Sequence, residues 1–231
     1  MPNLRIATYN VHRAIGGDGR TDPDRILRVL REIDADVYAL QEVEAHDDGA
    51  DMLAWLGKEM GYQSVAGTTL KRHDGHFGNG VLTRCPVKAR RVTDLSWRGR
   101  EPRGAIAIDI DCTGSALRVV ATHLGLRPAE RREQVQQLLH LFKEHPHEKS
   151  VLLGDLNEWF LWGRPLRRLH RHFRSTPSKA TFPARLPILA LDRIWTHPRS
   201  LLRSLEVHRT PLARAASDHL PLVATLELGR E

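Results

Sequence analysis

Cysteine is nearly absent from this 231-residue chain, which has only Cys85 and Cys112. Their spacing fits neither a metal-ligand pattern nor the disulfide framework of a small secreted domain. Both are therefore read as reduced residues, in the core or at a sheet edge, of a cytoplasmic protein. No apolar run approaches the roughly 18–20 residues needed to cross a bilayer. Met1-Pro2-Asn3-Leu4-Arg5 leads directly into a first apolar run, so no secretory leader is expected. Internal repeats at the residue level, low-complexity stretches and linkers are also missing. So are G-x-x-x-x-G-K-[ST] and G-x-S-x-G motifs, and the glycines of residues 16–19 do not fit G-x-G-x-x-G.

What is present suits one ordinary domain spanning 1–231. The chain is 41% hydrophobic and 27% charged, a globular composition with ample length to bury a core. Its net charge of +7 is uneven. Residues 160–209 hold eleven Lys/Arg against Asp192 and Glu206, a local +9, so the remainder is slightly acidic. Such an excess suggests a polyanionic partner, although a solvated basic surface explains it too.

Short apolar runs alternate with amphipathic segments. Asp22-Pro23 reads as an N-cap followed by proline at the first helical position, opening a helix that buries Ile26, Val29, Leu30 and Ile33. Met52 to Met60 reads as a second helix ended by Gly61. Pro128 begins a third, with Val135, Leu138, Leu139 and Phe142 inward. Short strands fill Tyr62–Ile110, and three more lie near Leu191–Thr196, Ser204–His208 and Leu222–Glu227. This order argues for an α/β sandwich with mixed sheets.

Six polar motifs each sit where an apolar run ends, so that Glu42 is expected to follow a buried strand: Thr8-Tyr9-Asn10-Val11-His12, Gln41-Glu42, Thr122-His123-Leu124, Gly154-Asp155-Leu156-Asn157, Leu191-Asp192-Arg193 and Ser217-Asp218-His219-Leu220-Pro221. Polar residues at the ends of core strands gather along one edge of a domain. Carboxylates, amides and imidazoles collected there suit a hard divalent cation and a phosphate. Asp155 and Asn157, two apart on extended backbone, are expected to face the same side.

This series resembles the endonuclease/exonuclease/phosphatase superfamily, the deoxyribonuclease-I-like hydrolases, from about Arg5 to Leu226. Gln41-Glu42, Gly154-Asp155-Leu156-Asn157 and Ser217-Asp218-His219 carry it most specifically. The resemblance implies a four-layered α/β sandwich with two central mixed β-sheets flanked by helices, and divalent-metal-dependent hydrolysis of a phosphoester. Glu42 would be the principal ligand of Mg²⁺, or of Mn²⁺ in its place, with Asn10 and Asp218 completing the protein side. Asp155 and Asn157 would orient and deprotonate the attacking water. His219 would pair with Asp192, and His123 would face a phosphate oxygen. Asn79 matches a position near His123 where other members carry a carboxylate. Arg103 matches an arginine that could clamp phosphate, a salt bridge with Glu101 being the other reading. The histidine pairs His73/His76, His145/His147 and His170/His172 lack a metal-binding framework and are read as solvated.

Trp162, Leu166, Leu169 and Phe173 recur at helical spacing among Arg164, Arg167, Arg168, Arg171 and Arg174. That is a basic amphipathic helix. Packing on the sandwich explains its apolar stripe. Arg167, Arg168 and Arg171 could in addition track a phosphate backbone beside the site. A nucleic-acid phosphodiester is accordingly the favoured substrate, for a monomer. Against a potent nonspecific duplex nuclease stand the short chain and an aromatic content of 6%. An anionic phospholipid or small phosphoester is the alternative, and a nucleic-acid-binding module without chemistry is a third reading.

Overall fold

Eleven strands and five helices form the framework among the described residues, which in this computed structural model are 3–46, 51–72, 75–112, 114–144 and 146–229. In chain order they are β1 (Asn3–Asn10), α1 (Pro23–Ile33), β2 (Val37–His46), α2 (Met52–Met60), β3 (Gln63–Arg72), β4 (Gly75–Thr83), β5 (Val87–Asp94), β6 (Gly104–Cys112), β7 (Ser115–His123), α3 (Pro128–Glu144), β8 (Ser150–Asp155), α4 (Arg164–Phe173), β9 (Asp192–His197), β10 (Leu202–Val207), α5 (Pro211–Ala216) and β11 (Leu222–Glu227). The helix signals act as expected. The Asp22 carboxylate accepts from Arg25 N at the start of α1, and Gly61 closes α2 at φ +69°.

The strands make a six-stranded sheet, β10-β11-β1-β2-β4-β3, and a five-stranded sheet, β5-β6-β7-β8-β9. Each sheet contains one parallel pair, β1/β2 in the first and β7/β8 in the second, joined through α1 and α3. All other pairings are antiparallel. The sheets pack face to face on Ile6, Ala39, Ile108, Val119, Val151 and neighbouring apolar residues. The outer face of the first sheet carries α1, α2 and α5, and that of the second carries α3 and α4. The result is the expected four-layered sandwich.

Alternation along the strands positions the polar residues. In β1, Leu4 and Ile6 enter the core between the sheets while Ala7 and Tyr9 face α1, so Asn10 continues the inward row. In β7, Leu117, Val119 and Ala121 lead to His123; in β8, Val151 and Leu153 lead to Asp155. Three of the four central strands, β1, β7 and β8, thus end on side chains aimed into one cleft.

At the opposite edge, Cys85 and Cys112 form a disulfide with Cα atoms 5.3 Å apart. Reading them as reduced thiols was wrong. Cys85 follows β4 and Cys112 ends β6, so strands of different sheets bring together residues that sequence spacing gives no reason to pair. The bridge closes a loop with a sequence separation of 27. Loop-closure entropy then predicts that Cys85→Ser/Cys112→Ser loses about 3.5 kcal/mol of stability. Urea denaturation with and without reductant measures this, and the wild type with reductant should fall to the level of the double variant.

Candidate active site

Asn10 lies at the centre of the cleft. Its side-chain amide nitrogen donates to Glu42 Oε1 at 3.0 Å and to Asp155 Oδ2 at 3.1 Å, so one amide ties the two sheets together. Its Oδ1 accepts from His12 N at 3.0 Å. Glu42 does not follow β2 but sits inside it, at a register irregularity against β4 between Leu40 and Val43, with φ +59°. A bulge of this kind re-aims a side chain that regular alternation would send elsewhere. Burial pushes the Glu42 carboxyl up, the Asn10 bond and His12 oppose this, and the carboxylates of Asp155 and Asp218 push it further up.

Asp155 is buried and closely held. Its Oδ1 accepts from Asn157 N at 2.9 Å, and Asn157 has φ +50°. Asn157 is therefore not on extended backbone. A side-chain-to-backbone turn, and not strand alternation, brings it beside Asp155. Gly154 makes this approach feasible. At its φ of +148°, a Cβ would stand 1.8 Å from the Thr122 carbonyl oxygen, so only glycine lets β8 align Asp155 opposite His123.

The two histidines adopt opposite charge states. His219 Nδ1 is 2.8 Å from Asp192 Oδ2, and its Nε2 is 3.7 Å from Asp155 Oδ2. Burial alone would lower the His219 pKa. Asp192, Asp155 and Asp218 outweigh it and raise the value to about 10, which makes the group an imidazolium at neutral pH. Asp192 Oδ2 also accepts from Thr181 Oγ1 at 2.6 Å, and the Phe182 ring lies 4.8 Å from the His219 ring. His123, by contrast, is pushed down to about 3 by burial and by Arg103, and is neutral. Arg103 Nη1 lies 3.0 Å from His123 Nδ1, and a guanidinium can only donate, so both ring nitrogens face donors once the Asn157 amide reaches Nε2. That nitrogen is 3.0 Å from Asn157 Nδ2 and 3.5 Å from Asp155 Oδ2. Arg103 also contacts Glu101 at 3.4 Å, the salt bridge of its second sequence reading.

Asp218 remains half-exposed at the mouth, 3.7 Å from His12 Nδ1. His12, Arg13 and Ala14 have φ of 46°, 56° and 59°, a left-handed turn that costs on the order of 1–2 kcal/mol per residue. The Asn10 contact to His12 N and the Ala14 N to Val11 O bond of 2.8 Å hold that turn. His12 belongs to the first polar motif but was given no role there. Thr181 and Phe182 carried no signal, because a loop residue eleven positions before its partner, as Thr181 is before Asp192, has no diagnostic spacing.

Asn79 donates to the Gly104 carbonyl oxygen at 3.1 Å, the same oxygen that accepts from Thr122 Oγ1, and so supports the His123 side of the cleft. The α4 arginines lie elsewhere. Arg168 bonds Arg132 O and Gln136 Oε1 of α3, Arg168 and Arg171 border the groove between α3 and α4, and Arg167 is exposed. Among the described residues none of the three contacts the cleft. Leu166, Leu169 and Phe173 pack on the second sheet as expected, but Trp162 precedes α4 and is exposed, so it is not part of the stripe. His170 and His172 are half-buried and so only partly solvated. They pack against Trp195 and Phe142, and burial lowers both pKa values. His76 and His147 are in described segments, with His147 3.6 Å from Asp109, whereas His73 and His145 lie outside the described residues.

Residues 7–219 match the endonuclease/exonuclease/phosphatase family. The chain belongs to that family. Its members hydrolyse phosphoesters and generally depend on a divalent metal. Protein YbhP of Escherichia coli K12 is 31% identical over 249 residues, an alignment covering 98% of this chain and 97% of YbhP. The endonuclease/exonuclease/phosphatase structure from Beutenbergia cavernae is 25% identical with a TM-score of 0.79, covering 98% of this chain and 72% of that one. The structure from Bacteroides vulgatus has a TM-score of 0.82 at 19% identity, covering 99% of this chain and 100% of that one.

The donors also fit a family metal. Glu42, Asp155 and Asp218 are near enough for the last two to destabilise the Glu42 carboxylate, a repulsion that a hard cation would relieve. The buried group Asp155, Asp192 and His219 has ligand atoms within 4.8 Å of one another. It is less suited to a cation, because the imidazole Nδ1 and the Asp192 Oδ2 are already bonded to one another.

Proposed function

We propose that this protein hydrolyses a phosphoester with Mg²⁺ or Mn²⁺, through attack of water on phosphorus. The observation that carries the reading is the His219 imidazole held 2.8 Å from Asp192 Oδ2, beside an Asp155 carboxylate fixed by Asn10 and Asn157. Glu42 would hold the cation, with Asn10 and Asp218 completing the protein ligands. Bound there, it would supply Lewis-acid polarisation of a phosphoryl oxygen.

The chain's own groups do the rest. Asp155 accepts the proton of the attacking water, and backbone and side-chain amides on both sides fix its orientation. His219 donates from Nε2 to the charge that develops on the phosphoryl oxygens. Neutral His123, held between Arg103 and Asn157, lines the phosphate position beside Asp155. A P–O bond forms to water as the P–O bond to the leaving group breaks.

Support for a nucleic-acid substrate came from the charge of residues 160–209, and it weakens because Arg167, Arg168 and Arg171 lie along α4, without contacts to the cleft. The test is turnover of bis(p-nitrophenyl) phosphate and a phosphomonoester panel by the purified protein. Mg²⁺ or Mn²⁺ should restore activity after chelation. A protein inert toward every phosphoester with either metal would overturn the proposal.

A further inference from the structure

The large apolar residues that remain exposed are not spread over the surface. Trp159, Phe160, Leu161 and Trp162 are consecutive, with exposures of 60%, 57%, 52% and 69%, and begin two residues after Asn157. Phe160 and Trp162 rings lie 5.9 Å apart, and Gly163 N closes a turn on Phe160 O at 2.9 Å, so the segment is a formed protruding loop. Three other loops at the same edge repeat the pattern. Trp97 lies in the β5–β6 connection that ends at Arg103, and Leu126 follows His123 by three residues. Leu186 and Ile188 lie in the loop whose Phe182 covers His219 and whose Ala184 N bonds Asp218 O at 2.7 Å. Among the described residues Val92, on β5, is the exception.

Exposed arginines are interleaved with these apolar groups: Arg98 and Arg100 beside Trp97, Arg127 beside Leu126, and Arg164 just beyond Trp162. Among the described residues no carboxylate pairs with any of the four. An apolar rim this concentrated marks an interaction surface. Exposed loops carrying tryptophan, with guanidinium groups between them, complement a surface with anionic phosphate above an apolar interior. We propose that this rim docks the cleft onto an anionic phospholipid bilayer, and that the phosphoester hydrolysed is that of a membrane lipid. The assignment rests on the phosphoesterase reading.

The full chain, with metal chelated, should co-sediment with vesicles of equimolar phosphatidylcholine and phosphatidylglycerol, and its tryptophan emission should shift to the blue. W159A/W162A should weaken that binding at least about tenfold. L186S/I188S, on an independent loop, should weaken it as well. Arg98, Arg100, Arg127 and Arg164 to Gln should each reduce it about fivefold at low salt. Turnover of soluble bis(p-nitrophenyl) phosphate should be unchanged in W159A/W162A, while turnover of vesicle lipid with Mg²⁺ falls. Equal vesicle binding by wild type and W159A/W162A, or none by either, would overturn docking, with soluble turnover leaving the phosphoesterase reading in place. Vesicle binding by a wild type that hydrolyses no phosphoester would instead overturn that reading, and the lipid substrate with it. Plasmid binding lost in the arginine variants, with vesicles ignored, would overturn the proposal in favour of nucleic acid.

Discussion

Glu42→Ala is expected to keep the fold and lose metal-stimulated turnover by about 10²–10⁴ in kcat. The side chain leaves a strand bulge in the cleft, where burial and the carboxylates of Asp155 and Asp218 disfavour its charge, and its removal relieves both. Stability should therefore change by less than about 1 kcal/mol or rise slightly. Calorimetric titration with Mg²⁺ or Mn²⁺ reads the other half of the prediction, a loss of affinity in parallel with activity. Asn10→Ala should behave differently. It removes the amide that donates to both Glu42 and Asp155, leaving two carboxylates unsupported across the sheets, and should cost stability as well as rate. Unchanged metal affinity and turnover in Glu42→Ala would remove Glu42 from the metal site.

His219→Ala should reduce kcat by about 10²–10⁴ while metal binding survives, and Asp192→Asn should be milder. The pH profile separates them. His219 has a pKa raised to about 10, so the donating form persists through neutral pH and activity falls on the alkaline side as pH passes that value. Burial opposes that shift and Asp192 is the strongest group sustaining it. Asp192→Asn should thus move the alkaline limb down by about 1–3 units. The same sign governs stability. The protonated imidazole contributes fully below its unfolded pKa of about 6.5, and the contribution is lost as pH rises through about 10. His123, held near 3 by burial and Arg103, contributes no limb in the neutral range. An alkaline limb that does not move in Asp192→Asn would show that no Asp–His pair acts in turnover.

Much of the cleft was legible because strand alternation is rigid. Once Ile6, Val119 and Val151 are placed in the inter-sheet core, Asn10, His123 and Asp155 must continue the same inward rows. Asp192 and His219 were legible as a pair through their motifs. The parts that could not be read depend on departures from regular backbone. Alternation cannot anticipate the bulge that turns Glu42, the left-handed residues at Asn157 and His12–Ala14, or the break before Gly163 that leaves Trp162 outside α4. Thr181 reaches Asp192 through a loop with no periodic signal. The α4 arginines show the limit of charge counting, since a local +9 does not say which face of the sandwich carries it.

The bridge between Cys85 and Cys112 also has a chemical history. A cystine persists where the thiol–disulfide poise is oxidising, and is rare where glutathione and thioredoxin keep thiols reduced. The covalent state of this pair therefore records the compartment in which a molecule matured. Alkylation of the protein recovered from its cells, before and after reduction, would read that record directly: two masked thiols denote an oxidising compartment, and two free ones the cytoplasm.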